Sequence, residues 1–164
     1  MTNGKVDPIP KGCATVTPHL VVRGVEQAMA FYGAAFGAQE ICRMPGPGGL
    51  IMHAEMKLGP GTIFLCDEFP EMGTSSPQTL GGSPVTLHLF VEAVDQVFER
   101  AVAAGATPTM PPMDMFWGDR YGKLVDPFGH HWSLATHVED LTHEEMAERG
   151  VAAMAAMENQ ESCA

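Results

Sequence analysis

Positive charge is scarce in this chain. Nine Lys and Arg stand against twenty Asp and Glu, a formal net charge of −11 over 164 residues. Nucleic-acid binding needs clustered cations to meet phosphates, so that class of partner is excluded. Acidity on this scale serves solubility instead. Long apolar runs are missing too. None reaches the ~18–20 residues that span a bilayer, so no membrane partner is expected. The first residues, Met1-Thr2-Asn3-Gly4-Lys5, carry no signal-peptide h-region. Cysteine is sparse and scattered: Cys13, Cys42, Cys66 and Cys163 form no CxxC pair. That spacing argues against a structural zinc site or a disulfide framework, and a cytoplasmic location with reduced thiols is the expectation. The common phosphate and nucleophile motifs are absent as well: no GxGxxG after a strand, no P-loop, no GxSxG elbow.

What the chain has is an internal repeat. Val85-Thr86-Leu87-His88-Leu89-Phe90-Val91 echoes Val16-Thr17-Pro18-His19-Leu20-Val21-Val22, and each copy runs on into a similar segment at Val25 and Val94. Two copies imply a duplicated module rather than a solenoid. At ordinary apolar content, 45%, the length suits one domain with a substantial core.

The pattern along the chain agrees. After a polar lead-in (residues 1–14), Thr15 to Val22 reads as a strand, with Pro18 calling for an edge position or a bulge. Val25, Ala28, Met29, Tyr32 and Phe36 then mark one face of a helix, closed by Gly37. Strands follow at 40–44, 50–58 and 62–67, parted by Pro45–Gly49 and Gly59–Gly61. Residues 70–84, rich in Gly, Pro and Ser, form a linker between module 15–69 and module 85–137. The second module repeats the order: strand 85–91, helix 94–104, a short strand 107–110 ended by Pro111-Pro112, a loop 113–119, and strands 121–125 and 131–136. Residues 138–164 add a C-terminal helix, with a Thr142/Glu145 capping box and Met146, Gly150, Ala153, Met154 and Met157 on one face. The tail from Asn159 is expected to fray.

Several segments carry a resemblance beyond this pattern. They are Thr17-Pro18-His19-Leu20-Val21-Val22, residues 30–38, Met52-His53-Ala54-Glu55, residues 76–82, Phe116-Trp117-Gly118-Asp119-Arg120 and Asp126-Pro127-Phe128-Gly129-His130-His131-Trp132. Together they resemble the vicinal oxygen chelate superfamily, home of glyoxalase I, bleomycin-resistance proteins and extradiol dioxygenases, and most closely its PhnB-like branch. The resemblance covers roughly residues 15–137. It implies an α+β fold in which two tandem βαβββ modules form a cupped, eight-stranded mixed sheet with helices outside. It also implies a homodimer and a small-molecule ligand in the cup.

Metal-dependent relatives place four ligands on the first and fourth strands of the modules. Those positions fall on Thr17, Phe64, Thr86 and Ser133 here. The shift that superposes Thr17 on Thr86 also superposes Phe64 on Ser133. A phenyl ring cannot ligate, and neutral hydroxyls are poor substitutes for imidazole or carboxylate. No cofactor is therefore expected.

Side chains two apart share a strand face. His19 thus joins Thr17, and His88 joins Thr86. Two readings stay open: a working pair suited to acid–base chemistry, or hydrogen-bonded histidines that shape a polar pocket. His53 and Glu55 share a face and could complete a displaced metal set with His19 and His88, which would make the protein a metal-dependent lyase, isomerase or dioxygenase. Cys66 reads as an inert buried thiol. Trp117 beside Arg120 suits a planar or anionic ligand, or else plugs the cup while Arg120 pairs with Asp119. The expected ligand-binding set is Thr17, His19, Phe64, Thr86, His88, Trp117, Arg120 and Ser133.

Overall fold

The computed structural model describes residues 7–10 and 12–161, the side chains of 157–161 excepted. Cys163, the Met157 side chain and the chain beyond Glu161 lie outside the described residues. Two βαβββ units follow one another. The first comprises β1 (His19–Val22), α1 (Val25–Phe36), β2 (Gln39–Pro45), β3 (Ile51–Leu58) and β4 (Gly61–Asp67). The second comprises β5 (Thr86–Phe90), α3 (Val94–Ala103), β6 (Thr107–Asp114), β7 (Asp119–Val125) and β8 (His131–His137). Between them lies a short α2 (Pro77–Leu80), and α4 (His143–Glu161) follows the second unit.

Each unit makes its own four-stranded sheet, in orders β1-β4-β3-β2 and β5-β8-β7-β6. The eight strands therefore belong to two hydrogen-bonded sheets rather than one. In each sheet the first and last strands pair parallel and the remaining pairs are antiparallel. The registers are related by the repeat: His19 lies opposite Phe64, and His88 opposite Ser133.

Strands β1, β3, β4, β7 and β8 bury helix-side residues. Leu20, Val22, Ala54, Met56, Ile63 and Leu65 in the first sheet, and Leu124, Trp132 and Leu134 in the second, share one core with α1 and α3. Tyr32 and Phe36 of α1 reach Trp132, the latter with ring centroids 4.7 Å apart. The Asp126 carboxylate fastens this junction. Its Oδ2 accepts the Tyr32 hydroxyl at 2.7 Å and the Trp132 indole N–H at 2.9 Å. Its Oδ1 accepts the Phe128 and His130 backbone N–H groups, both at 2.9 Å. Burial, and then the Asp126 charge, push the Tyr32 hydroxyl well above its ordinary pKa.

Helices α1 and α3 start without a capping side chain of their own. The cap comes from the neighbouring strand. Asp67 Oδ1 accepts Gly24 and Val25 N–H at 2.8 and 3.2 Å. At the repeat-related position, Thr136 Oγ1 accepts Val94 N–H at 2.8 Å. An oxygen at this point satisfies backbone donors that a helix start leaves free.

Three expectations need correction. The strand predicted to end at Pro111-Pro112 runs on to Asp114. It lies at a sheet edge and its register slips twice, between Pro108 and Met110 and between Met110 and Met113, so the missing proline N–H groups break no inner ladder. β1 begins only at His19, after Pro18. The linker carries α2, capped by Ser76 Oγ on Thr79 N–H. The Thr142/Glu145 capping box forms as read, and Gly150 lets α4 approach the Phe116 ring.

Candidate functional site

The faces of the two sheets opposite the helices carry most of the candidate residues. The structure sorts them into two groups. On the first sheet, His19, His53 and Phe64 meet edge to face, with ring centroids 5.0 to 6.1 Å apart. Adjacent strands bring them together: β1 beside β4, and β4 beside β3. Glu55 joins them, its Oε1 3.2 Å from His53 Nε2. Burial, and then the nearby His53, lower the pKa of His19, so its neutral form is favoured. Thr17 lies just before β1, and its hydroxyl donates to Ala14 O at 3.0 Å. The N-terminal segment crosses this end of the face, where Gly12 O accepts the Thr62 hydroxyl at 2.8 Å. Pro8, Ile9, Pro10, Cys13, Ala14 and Thr15 line a groove together with Thr17 and Phe64.

On the second sheet, His88 Nδ1 and Ser133 Oγ are hydrogen-bonded at 2.7 Å. Tyr121 stacks on the His88 ring at 6.0 Å and Phe90 meets it edge-on at 4.5 Å. Trp117 stands against Tyr121 at 5.5 Å, and its indole N–H donates to Asp119 at 2.9 Å. Thr86, His88 and Phe90 are exposed, Phe90 at 61%. The two groups share no ring or hydrogen-bond contact, so His19 and His88 are repeat-related without touching within one chain.

Arg120 departs from the expectation. Alternation turns it away from Tyr121, and its guanidinium binds Asp95 of α3 at 2.6 and 2.7 Å and Asp114 at 3.0 Å. Its pairing partner is therefore not Asp119, and it gives the aromatic group no free cation. Asp119 holds Trp117 and His137 instead. Hydrogen bonds to Asp119 and then Asp140 raise the pKa of His137. Cys66 is buried, and burial followed by the Asp67 charge raises its pKa. Such a thiol is unreactive.

The positions at which the resemblance puts metal ligands do not fit an ion. Phe64 presents a ring packed on two imidazoles. Ser133 is buried against His88, Thr17 is spent on Ala14, and a neutral threonine at 86 offers a weak donor. In the displaced set, His19, His53 and Glu55 come together, but His88 lies on the other sheet. Among the described residues, no group of three or more His, Cys, Asp or Glu is placed to hold a metal.

Some neighbours were not legible in sequence. In sequence Tyr121 ends the aromatic stretch from Phe116 and opens a strand, and its stacking on His88 depends on the pairing of β7 with β8. His130 carries a hydrogen bond from Nε2 to Val21 O at 3.1 Å, which joins the second module to the edge of β1. Position after a turn gave no sign of that reach.

Comparison with known proteins follows this geometry. Residues 14–134 match the family model described as the glyoxalase/bleomycin resistance protein/dioxygenase superfamily. An uncharacterized protein of Mycobacterium tuberculosis is 47% identical over 134 residues, covering 80% of this chain and 79% of its own. TioX from Micromonospora sp. ML1 superposes with a TM-score of 0.59 at 26% identity, over 76% of this chain and 99% of that one. A gene product of Arabidopsis thaliana gives 0.62 at 29% identity, over 74% and 98%. A PhnB protein from Bacillus cereus shares the fold, with a TM-score of 0.58 at 22% identity over 75% and 99%.

Proposed function

The chain belongs to the glyoxalase/bleomycin resistance protein/dioxygenase superfamily, and from that premise we propose that it binds a small organic molecule over these polar and aromatic faces without a divalent metal. The observation that carries this reading is the replacement of ligand positions. Phe64 lies opposite His19, and Ser133 lies opposite and hydrogen-bonded to His88. Stacking surfaces and hydrogen-bonding groups remain, with the Glu55 carboxylate beside His53 on one face and Lys123 Nζ 5.9 Å from the Tyr121 ring on the other, and these suit a planar, polar ligand.

The reading includes a homodimer. Phe90, Val85 and Val16 are exposed apolar side chains in the two repeat segments. A second copy set against them would shield these residues from water and could bring a first-sheet face of one chain over a second-sheet face of the other.

Trp117 supplies a test, because it lies in the aromatic group while Trp132 is buried in the core. Planar aromatic compounds are titrated against intrinsic fluorescence, with and without EDTA. Saturable quenching that EDTA leaves unchanged, and that Trp117→Phe removes, is expected. Binding that appears only after a divalent ion is added would overturn the reading.

A further inference from the structure

A cavity of about 290 Å³ lies where the two modules meet, between the free edge of β1 and the linker that leads into β5. It is distinct from the sheet faces: of the residues assigned to those faces, only His19 borders it. Leu20, Val85 and Leu87 supply apolar wall, and no Asp, Glu, Lys or Arg lines it. A charged ligand would lose its hydration here without gaining a partner.

The polar groups that do border it are neutral. They are Ser75, Ser83, His19 and His130. Burial is the leading cause that lowers the pKa of both imidazoles. The His130 bond to Val21 O fixes its tautomer: a carbonyl only accepts, so Nε2 carries the proton and Nδ1 is left as an acceptor.

The β1 backbone adds a row of unused groups. Pro18 O and Val22 O accept Phe64 and Glu68 N–H, on the β4 side. Alternation then turns the N–H and C=O groups of His19 and Val21 to the opposite edge, which borders the cavity. Among the described residues, Val21 O takes His130 there, and His19 N–H, His19 C=O and Val21 N–H take no backbone or side-chain partner.

The far wall is held in place from both modules. Glu68 accepts Ser76 N–H at 3.0 Å and the Thr79 hydroxyl at 2.6 Å, and Arg23 binds both Glu68 and Thr79. Gln78 donates to Pro127 O at 3.0 Å. Gly129, at φ +88°, sits so close to Pro77 that a Cβ there would fall 2.9 Å from the ring. The cavity is thus built into the fold and does not await a loop closure.

We propose that this cavity binds an uncharged, largely apolar small molecule carrying an amide-type donor and acceptor, which pairs with the free edge of β1 between His19 and Val21. The apolar walls take the body of the ligand. The edge N–H and C=O groups, with His130, orient its polar end.

Titration of ¹⁵N-labelled protein tests this with three probes of one shape: benzamide, benzoate and benzylammonium. Benzamide is expected to give saturable shifts at the His19, Val21 and Leu87 amides below about 10 mM, with the two ions at least about fivefold weaker. Filling the cavity with Ser75→Phe, or with Ser83→Phe should the first variant not fold, is expected to abolish those shifts. Equal binding of all three probes, shifts centred on Phe64 or Tyr121 and Ser133, no saturable shift, or retention in the filled variant would each overturn the proposal.

Discussion

At the scale of single residues, Asp126 ties the two modules together. Four donors converge on one buried carboxylate, two from side chains of different modules. Asp126→Ala would leave the Tyr32 hydroxyl and the Trp132 N–H buried without an acceptor. A loss of about 3 kcal/mol is expected in urea denaturation, and a loss under about 1 kcal/mol would mean that other acceptors replace it. His19 and His88 carry the functional expectation. The double variant His19→Ala, His88→Ala is expected to weaken a ligand found by the fluorescence titration by about 1–3 kcal/mol; unchanged affinity would remove both from the site. The repeat made these histidines visible because strand alternation and the repeat offset are properties of sequence alone. Their neighbours were not visible. Whether His19 meets His53 or His88 depends on which strands adjoin, and that is settled by pairing across distant parts of the chain. Arg120 shows the same limit. Its nearest carboxylate in sequence, Asp119, is turned to the opposite face, and its real partners are Asp95 and Asp114.

Among the elements, the two long module helices were legible almost to the residue, since each has a continuous apolar stripe and a small residue at its end. The prolines of β6 read as breakers in sequence, but the strand lies at a sheet edge, where prolines are tolerated. The capping of α1 and α3 from β4 and β8 was likewise hidden, because Asp67 and Thr136 lie some forty residues from the N–H groups they accept. Thr136→Val is expected to cost about 1 kcal/mol, and Asp67→Ala about 2, since Asp67 also accepts Ile51 N–H. Equal midpoints for wild type and both variants in denaturant would show that water caps these helices equally well.

The linker helix α2 supplies a pH test. Hydrogen bonds from Thr79, Ser76 and Arg23 hold the Glu68 pKa down to about 2. A depressed carboxylate contributes stability above its unfolded pKa and loses it as pH falls through the folded value. The difference in Tm between wild type and Glu68→Gln is therefore expected to be largest near pH 7 and to shrink from about pH 4.5 downward toward pH 2. A difference constant across that range would show that Glu68 acts through packing alone.

Across the whole molecule, the duplication explains both what the fold keeps and what it has changed. The two modules share strand order, register offset and the place from which each helix is capped. They differ in chemistry at the rung opposite each histidine, Phe64 in one and Ser133 in the other. Light scattering with size-exclusion chromatography is expected to return twice the 17.5 kDa chain mass. A charge placed on the exposed apolar stretch, Phe90→Asp, is expected to return the monomer with its circular dichroism unchanged. A monomeric wild type would remove the second copy from the account. Metal independence is tested most directly by elemental analysis of protein purified without chelators, alongside a parallel sample dialysed against Zn²⁺, Ni²⁺, Mn²⁺ and Fe²⁺ and then desalted. The account predicts metal well below one ion per chain in both samples. Stoichiometric retention of any one of these ions would contradict it.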